Sequence, residues 1–178
     1  MAIKRYYATK DNTITNAFKS SLSTRGVSGN MGQSDILEVF SIYAQVSASD
    51  GYSSELSRIL IQFDTDAINT DRTAGTIPAS GNVNFFLTMY DAEHTQTTPK
   101  DYTLVVSAIS QSWDEGLGLD MEEYSDEDAS NYISASSGFP WAENSGRATA
   151  TIVTVAKELL TAGTFTLTDA SDISTTYG

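Results

Sequence analysis

Two segments constrain the fold of this chain more than any other feature. Ser57-Arg58-Ile59-Leu60-Ile61-Gln62-Phe63-Asp64 is a single apolar strand with a basic entry. Ile109-Ser110-Gln111-Ser112-Trp113-Asp114-Glu115-Gly116 is a strand that runs into a tryptophan and an acidic, glycine-bearing loop. Together they point to an antiparallel β-sandwich. Neither holds a catalytic constellation, so function has to be argued largely by exclusion.

The rest of the chain reads as β. Short runs of Tyr, Phe, Val and Ile alternate with Gly, Asn, Asp and Ser, which predicts strands over 5–9, 14–17, 36–43, 57–63, 82–90, 102–109, 147–155 and 165–168. Strands at this spacing match a jelly roll or a related Greek-key sandwich, with 82–90 as a central strand under the other sheet. Helix signals are few. Asp64 is placed to cap a short turn through Ile68, and 155–160 is helix-friendly with Gly163 as its stop. Long loops are expected over 19–33, 69–81 and 113–146, and loops of that length commonly bind or pack against something. No internal repeat or strong linker divides the chain, so residues 1–178 are expected to form one β-sandwich domain. The polar ending Thr175-Thr176-Tyr177-Gly178 suits a chain that continues as the N-terminal part of a longer protein.

Composition removes several functions. Ten Lys and Arg stand against 23 Asp and Glu, a net charge of −13, whereas a nucleic-acid face needs clustered cations. The same balance argues against an anionic membrane surface and favours a basic partner or a cation. With no cysteine, disulfides, thiolate catalysis, zinc–thiolate sites and iron–sulfur clusters are excluded, and the source leans toward a prokaryote or virus. No apolar region follows Lys4 and Arg5, and no window approaches the roughly 18 apolar residues of a membrane span. The expected product is soluble, made in the cytoplasm and without a signal peptide.

Arg58-Ile59-Leu60-Ile61-Gln62-Phe63-Asp64 resembles the arginine, apolar-run, Phe-Asp pattern of the DNRLRE or disaggregatase-related β-sandwich superfamily. Asp11-Asn12-Thr13-Ile14, the loop Asn30-Met31-Gly32 and the strand Ile36-Leu37-Glu38-Val39 match its earlier elements. Val83–Tyr90 and then Val105 to Trp113 and Glu115 match its later ones. The resemblance implies a non-catalytic jelly-roll module of surface proteins, some of which are linked to polysaccharide binding. The opening from Lys4 to Ala17 and the stretch Gln111–Gly116 are also similar to virion structural proteins of tailed bacteriophages, which assemble in the cytoplasm and leave by lysis.

Candidate sites come from the loops. Eight carboxylates lie between Asp114 and Asp128. Asp120, Glu122, Asp126 and Asp128 among them offer oxygens to a calcium ion, which takes roughly six to eight. No EF-hand register is present, and the same run reads first as a solvated acidic loop or a face that meets a basic partner. Trp113 and Trp141, with Phe139 and Tyr124, could form an aromatic platform for a glycan or a subunit interface. Trp113 reads first as a core plug, whereas Trp141 reads equally as packing for the long loop. His94 is the only histidine, so a multi-histidine zinc site is impossible, and its polar setting reads as a surface loop. Asp91, Glu93 and Asp101 could make a glycosidase-like carboxylate pair with the long acidic loop, though such pairs arise readily in so acidic a chain. No phosphate loop is present, because no Lys-Ser/Thr follows Gly118. These readings converge on a non-enzymatic virion protein, in a head-decoration, neck, tail or fibre role. It would occur in repeated copies and dock onto other capsid or tail proteins without nucleic acid or membrane. The alternative is a carbohydrate-binding β-sandwich module.

Overall fold

An apolar run, Ile59-Leu60-Ile61 with Phe63, closes residues 51–63, and there the chain forms the longest strand among the described residues. The structure, a computed structural model, describes residues 3–48, 51–78, 82–90, 92, 101–106, 109, 111–119, 129–141, 151–156 and 163–167. Among them the chain is antiparallel β with one short helix, the expected all-β class. Contacts divide it into two compact units, each built from separated stretches: Arg5–Asp64 with Gln111–Glu143, and Met1–Lys4 with Thr65–Ser110 and Asn144–Gly178.

In the first of these, strand β3 (Gly51–Phe63) lies between β1 (Ala8–Thr15) and β2 (Ser41–Ala48). The β1–β3 register sets Lys10 opposite Gln62, Asn12 opposite Leu60 and Ile14 opposite Arg58, so these six side chains share one face. That face carries the core. Ile14 and Leu60 pack with Trp113 and Ala135, and Trp141 packs against the cluster. Arg58 holds its guanidinium over the Tyr132 ring, 5.0 Å from the centroid, so the basic entry of the strand lies against an aromatic. β6 (Ser134–Ser136) and β7 (Phe139–Pro140) form a small hairpin in the same unit.

The second unit contains α1 (Thr65–Thr73) and two strand pairs. β4 (Phe85–Met89) pairs with β9 (Gly163–Leu167), and β5 (Asp101–Val106) pairs with β8 (Thr151–Ala156). Lys4 forms an ion pair with Asp71 at 3.0 Å, and Arg72 sits over Phe85.

Several expected elements differ. The strands expected over 5–9 and 14–17 are one strand, because Asp11-Asn12 continues the ladder instead of turning. The strand expected over 36–43 lies further along: β2 begins at Ser41, runs past Tyr43 to Ala48 and pairs antiparallel with β3. The turn expected after Asp64 is a nine-residue helix that takes the start of the 69–81 loop. Gly163 opens a strand, and β8 runs through Ala156; residues 157–160 lie outside the described residues.

Candidate functional site

The most elaborate site in the structure is a buried polar junction in the β1–β3 unit. Asn30 lies in the Gly-rich loop before β2, and its side chain is 2% exposed. Its Nδ2 donates to the carbonyls of Glu115 and Ser130, both at 2.8 Å. Its Oδ1 accepts from the amides of Gly32 and Gly118, both at 3.0 Å. One amide side chain thus satisfies four backbone groups from three stretches of chain. Asn12, from β1, does similar work. Its Nδ2 donates to Ser130 Oγ at 2.8 Å and to the Ser130 carbonyl at 3.1 Å, while its Oδ1 accepts from the Met31 amide at 2.8 Å. Non-repetitive backbone can be buried only when its donors and acceptors find partners, and these two asparagines supply them.

Two glycines let the chains approach this closely. A Cβ on Gly32 would overlap the Glu115 carbonyl, and one on Gly118 would overlap the Asn30 carbonyl. The Gln33 amide then donates to the Gly118 carbonyl at 3.0 Å and closes the contact.

Residues 111–119 run as a strap from this junction past β1. The Asp11 amide donates to Glu115 Oε1 at 2.8 Å. Lys10 Nζ donates to the Trp113 carbonyl at 3.3 Å and lies 5.9 Å from the Trp113 ring. Burial pushes the Asp11 carboxyl above its ordinary value, and the charge of Glu115 adds to the shift. A second clasp follows. Asn131 Oδ1 accepts from the Ile133 and Ser134 amides, and its carbonyl accepts from Trp141 Nε1 at 2.7 Å.

A further buried group lies on β3. Glu55 is fully buried and accepts from the Phe18 amide at 2.9 Å and from Ser53 Oγ at 3.3 Å. With its amide turned to face the carboxylate, Gln45 donates at 2.9 and 3.2 Å. Glu55 thereby ties the 17–25 loop to the sheet. Sequence reasoning passed over Glu55, Ser130 and Asn131. A lone glutamate inside a strand-forming run was the available signal for the first, and nothing local marks the other two.

The aromatic candidates separate. Trp113 is 5% exposed and belongs to the core, as the core-plug reading of the sequence expects: its ring packs on Ile14, Leu60 and Ala135. Trp141 is half-buried, with its indole N–H spent on Asn131. Phe139 stands 67% exposed on β7. Leu117, Leu119 and Ile133 are also exposed, on the strap and beside the Asn131 clasp. Tyr43 and Tyr52, which the sequence did not single out, are exposed on the β2–β3 hairpin and meet edge to face at 5.9 Å. Tyr124, the calcium candidates Asp120, Glu122, Asp126 and Asp128, and His94, Asp91 and Glu93 all lie outside the described residues. Among the described residues no group of three or more His, Asp or Glu is placed to hold a metal ion, and no helix is long and apolar enough to cross a membrane.

No family model matches the chain, and no curated protein or solved structure shows a significant match.

Proposed function

We propose that this chain is a non-enzymatic structural subunit of a tailed-bacteriophage virion, a jelly-roll-like β-sandwich that acts by docking onto neighbouring capsid or tail proteins. The observation that carries this reading is how the polar groups of the junction are used. Asn12, Asn30 and Asn131 are engaged in holding backbone and Ser130 Oγ in holding Asn12, while Leu117, Leu119, Ile133 and Phe139 point outward from the segments so held. Such a site has rigidity and exposed apolar surface, the needs of an interface, and spends its polar groups on neither substrate nor proton transfer. The net charge of −13 adds selectivity for a basic neighbour. The resemblance of the opening and of Gln111–Gly116 to virion proteins supports the setting, and repeated copies follow from virion symmetry.

Replacing Leu117 and Phe139 together by aspartate tests the docking step. The doubly substituted chain should fold, with unchanged circular dichroism and tryptophan emission, but be lost from assembled particles. Incorporation at the wild-type level would contradict the reading.

A carbohydrate-binding module remains the second reading, and the exposed Tyr43–Tyr52 pair is the observation that favours it. A glycan array with and without Ca²⁺ separates the two. Binding that is lost in Tyr43→Ala would support the module.

A further inference from the structure

Asp11 and Glu115 are brought together by the fold in an unusual way. Glu115 reaches across from the strap and accepts a hydrogen bond from the backbone amide of Asp11 itself. A carboxylate on a residue's own amide lies near that residue's side chain, and the charge of Glu115 acts on the Asp11 carboxyl. One of the contacts that hold the strap therefore also brings two acidic groups near each other.

The surroundings do not neutralise them. On β3, Ile61 lies opposite Asp11, with the uncharged Leu60 and Gln62 on either side. Arg58 lies opposite Ile14 and holds its guanidinium over Tyr132. Lys10, the nearest cation in sequence, donates to the Trp113 carbonyl and lies over its ring. Residues 129–141 contain no charged side chain, and neither do residues 30–33. Asp114, also on the strap, is exposed and acidic. Among the described residues no cation forms an ion pair with Asp11 or Glu115.

We propose that the Asp11–Glu115 pair makes the 111–119 strap a pH-sensitive latch. It is held loosely when both carboxylates are charged, and tightly once Asp11 takes up a proton. The charged pair repels across one of the contacts that hold the strap, whereas a protonated Asp11 removes the repulsion and leaves the Glu115 bond in place. The direction of the Asp11 titration agrees. A carboxyl whose folded pKa is raised binds its proton more readily folded than unfolded, so folding is favoured as pH falls through that range. The cost is fully present above it. The window opens above the ordinary aspartate value of 3.8. The latch governs how firmly Leu117 and Leu119 are presented, but it stands independently of the docking reading, because it is measured on the isolated chain.

Amide hydrogen exchange on the full chain tests it, with rates corrected for the intrinsic effect of pH and β3 amides as the internal standard. In the wild type, protection of the Asp114 and Gly118 amides should rise several-fold from neutral to mildly acidic pH. In Asp11→Asn it should be high at both and flat. Wild-type protection that is unchanged or falls on acidification would overturn the proposal, and so would an Asp11→Asn chain that keeps the wild-type response. Should Asp11→Asn fold poorly, the carboxyl carbon of Asp11 can be followed by NMR in the wild type. The proposal requires it to titrate above the ordinary value, with the Gly118 amide shift following the same curve. A titration at or below that value, or an amide that does not move with it, would overturn the proposal.

Discussion

Asn30 shows how much one side chain carries here. Truncation to alanine strands the buried amides of Gly32 and Gly118 and two carbonyls, and each stranded buried group costs about 1–3 kcal/mol. Asn30→Ala is therefore expected to lose at least about 3 kcal/mol in urea unfolding. Asn30→Asp keeps the shape but turns a carboxylate oxygen toward the Glu115 and Ser130 carbonyls. It should be severely destabilised at neutral pH and recover as pH falls, because only the protonated acid can donate to a carbonyl. Glu55→Ala strands the Phe18 amide in the same way and should cost more than Glu55→Gln, which keeps an acceptor there. At this scale the sequence was partly legible. The sequence marked 19–33 and the stretch after Trp113 as long loops, and the structure brings Asn30 and Gly32 of the first and Glu115 of the second to one junction with Asn12. Their convergence could not be read from spacing, because side-chain-to-backbone bonds between distant loops leave no periodic trace.

Among the elements, β3 was the most legible, since Ile59, Leu60, Ile61 and Phe63 stand close together at its end. β2 was the least. Its register with β3 slips between Tyr43 and Ser47, and Ala44 within that bulge takes a φ of 64°. A bulge breaks the period-two pattern on which strand reading depends. It has a use, because it accompanies the contact between Gln45 and the buried Glu55 carboxylate. Ala44→Gly should stabilise the chain by about 0.5–1 kcal/mol in thermal or urea unfolding, since glycine adopts this conformation without the clash that alanine meets. Gly118→Ala should act in the opposite sense and cost at least about 2 kcal/mol, because its Cβ overlaps the Asn30 carbonyl. The helix was legible in its start, next to Asp64, but not in its length. Residues 65–73 bury no side chain, so no apolar stripe announced it.

For the molecule as a whole, the chain leaves the β1–β3 unit after Asp64 and returns at Gln111. Both points lie toward the same end of β1, since Phe63 pairs with Ala8 and the Trp113 carbonyl meets Lys10. Residues 5–64 joined to 111–143 by a short Gly/Ser linker should therefore fold without the rest. Both tryptophans belong to that unit, and blue-shifted emission that reddens cooperatively in urea would report it. Red-shifted emission in native buffer would show that the unit depends on the remainder of the chain. The functional reading belongs to this scale as well, because the account assigns the molecule a fixed place among repeated neighbours. Quantitative mass spectrometry of purified virions from the source tests that most directly. The account predicts this chain at a constant copy number per particle, in proportion to the major capsid or tail proteins; its absence from intact particles would contradict it.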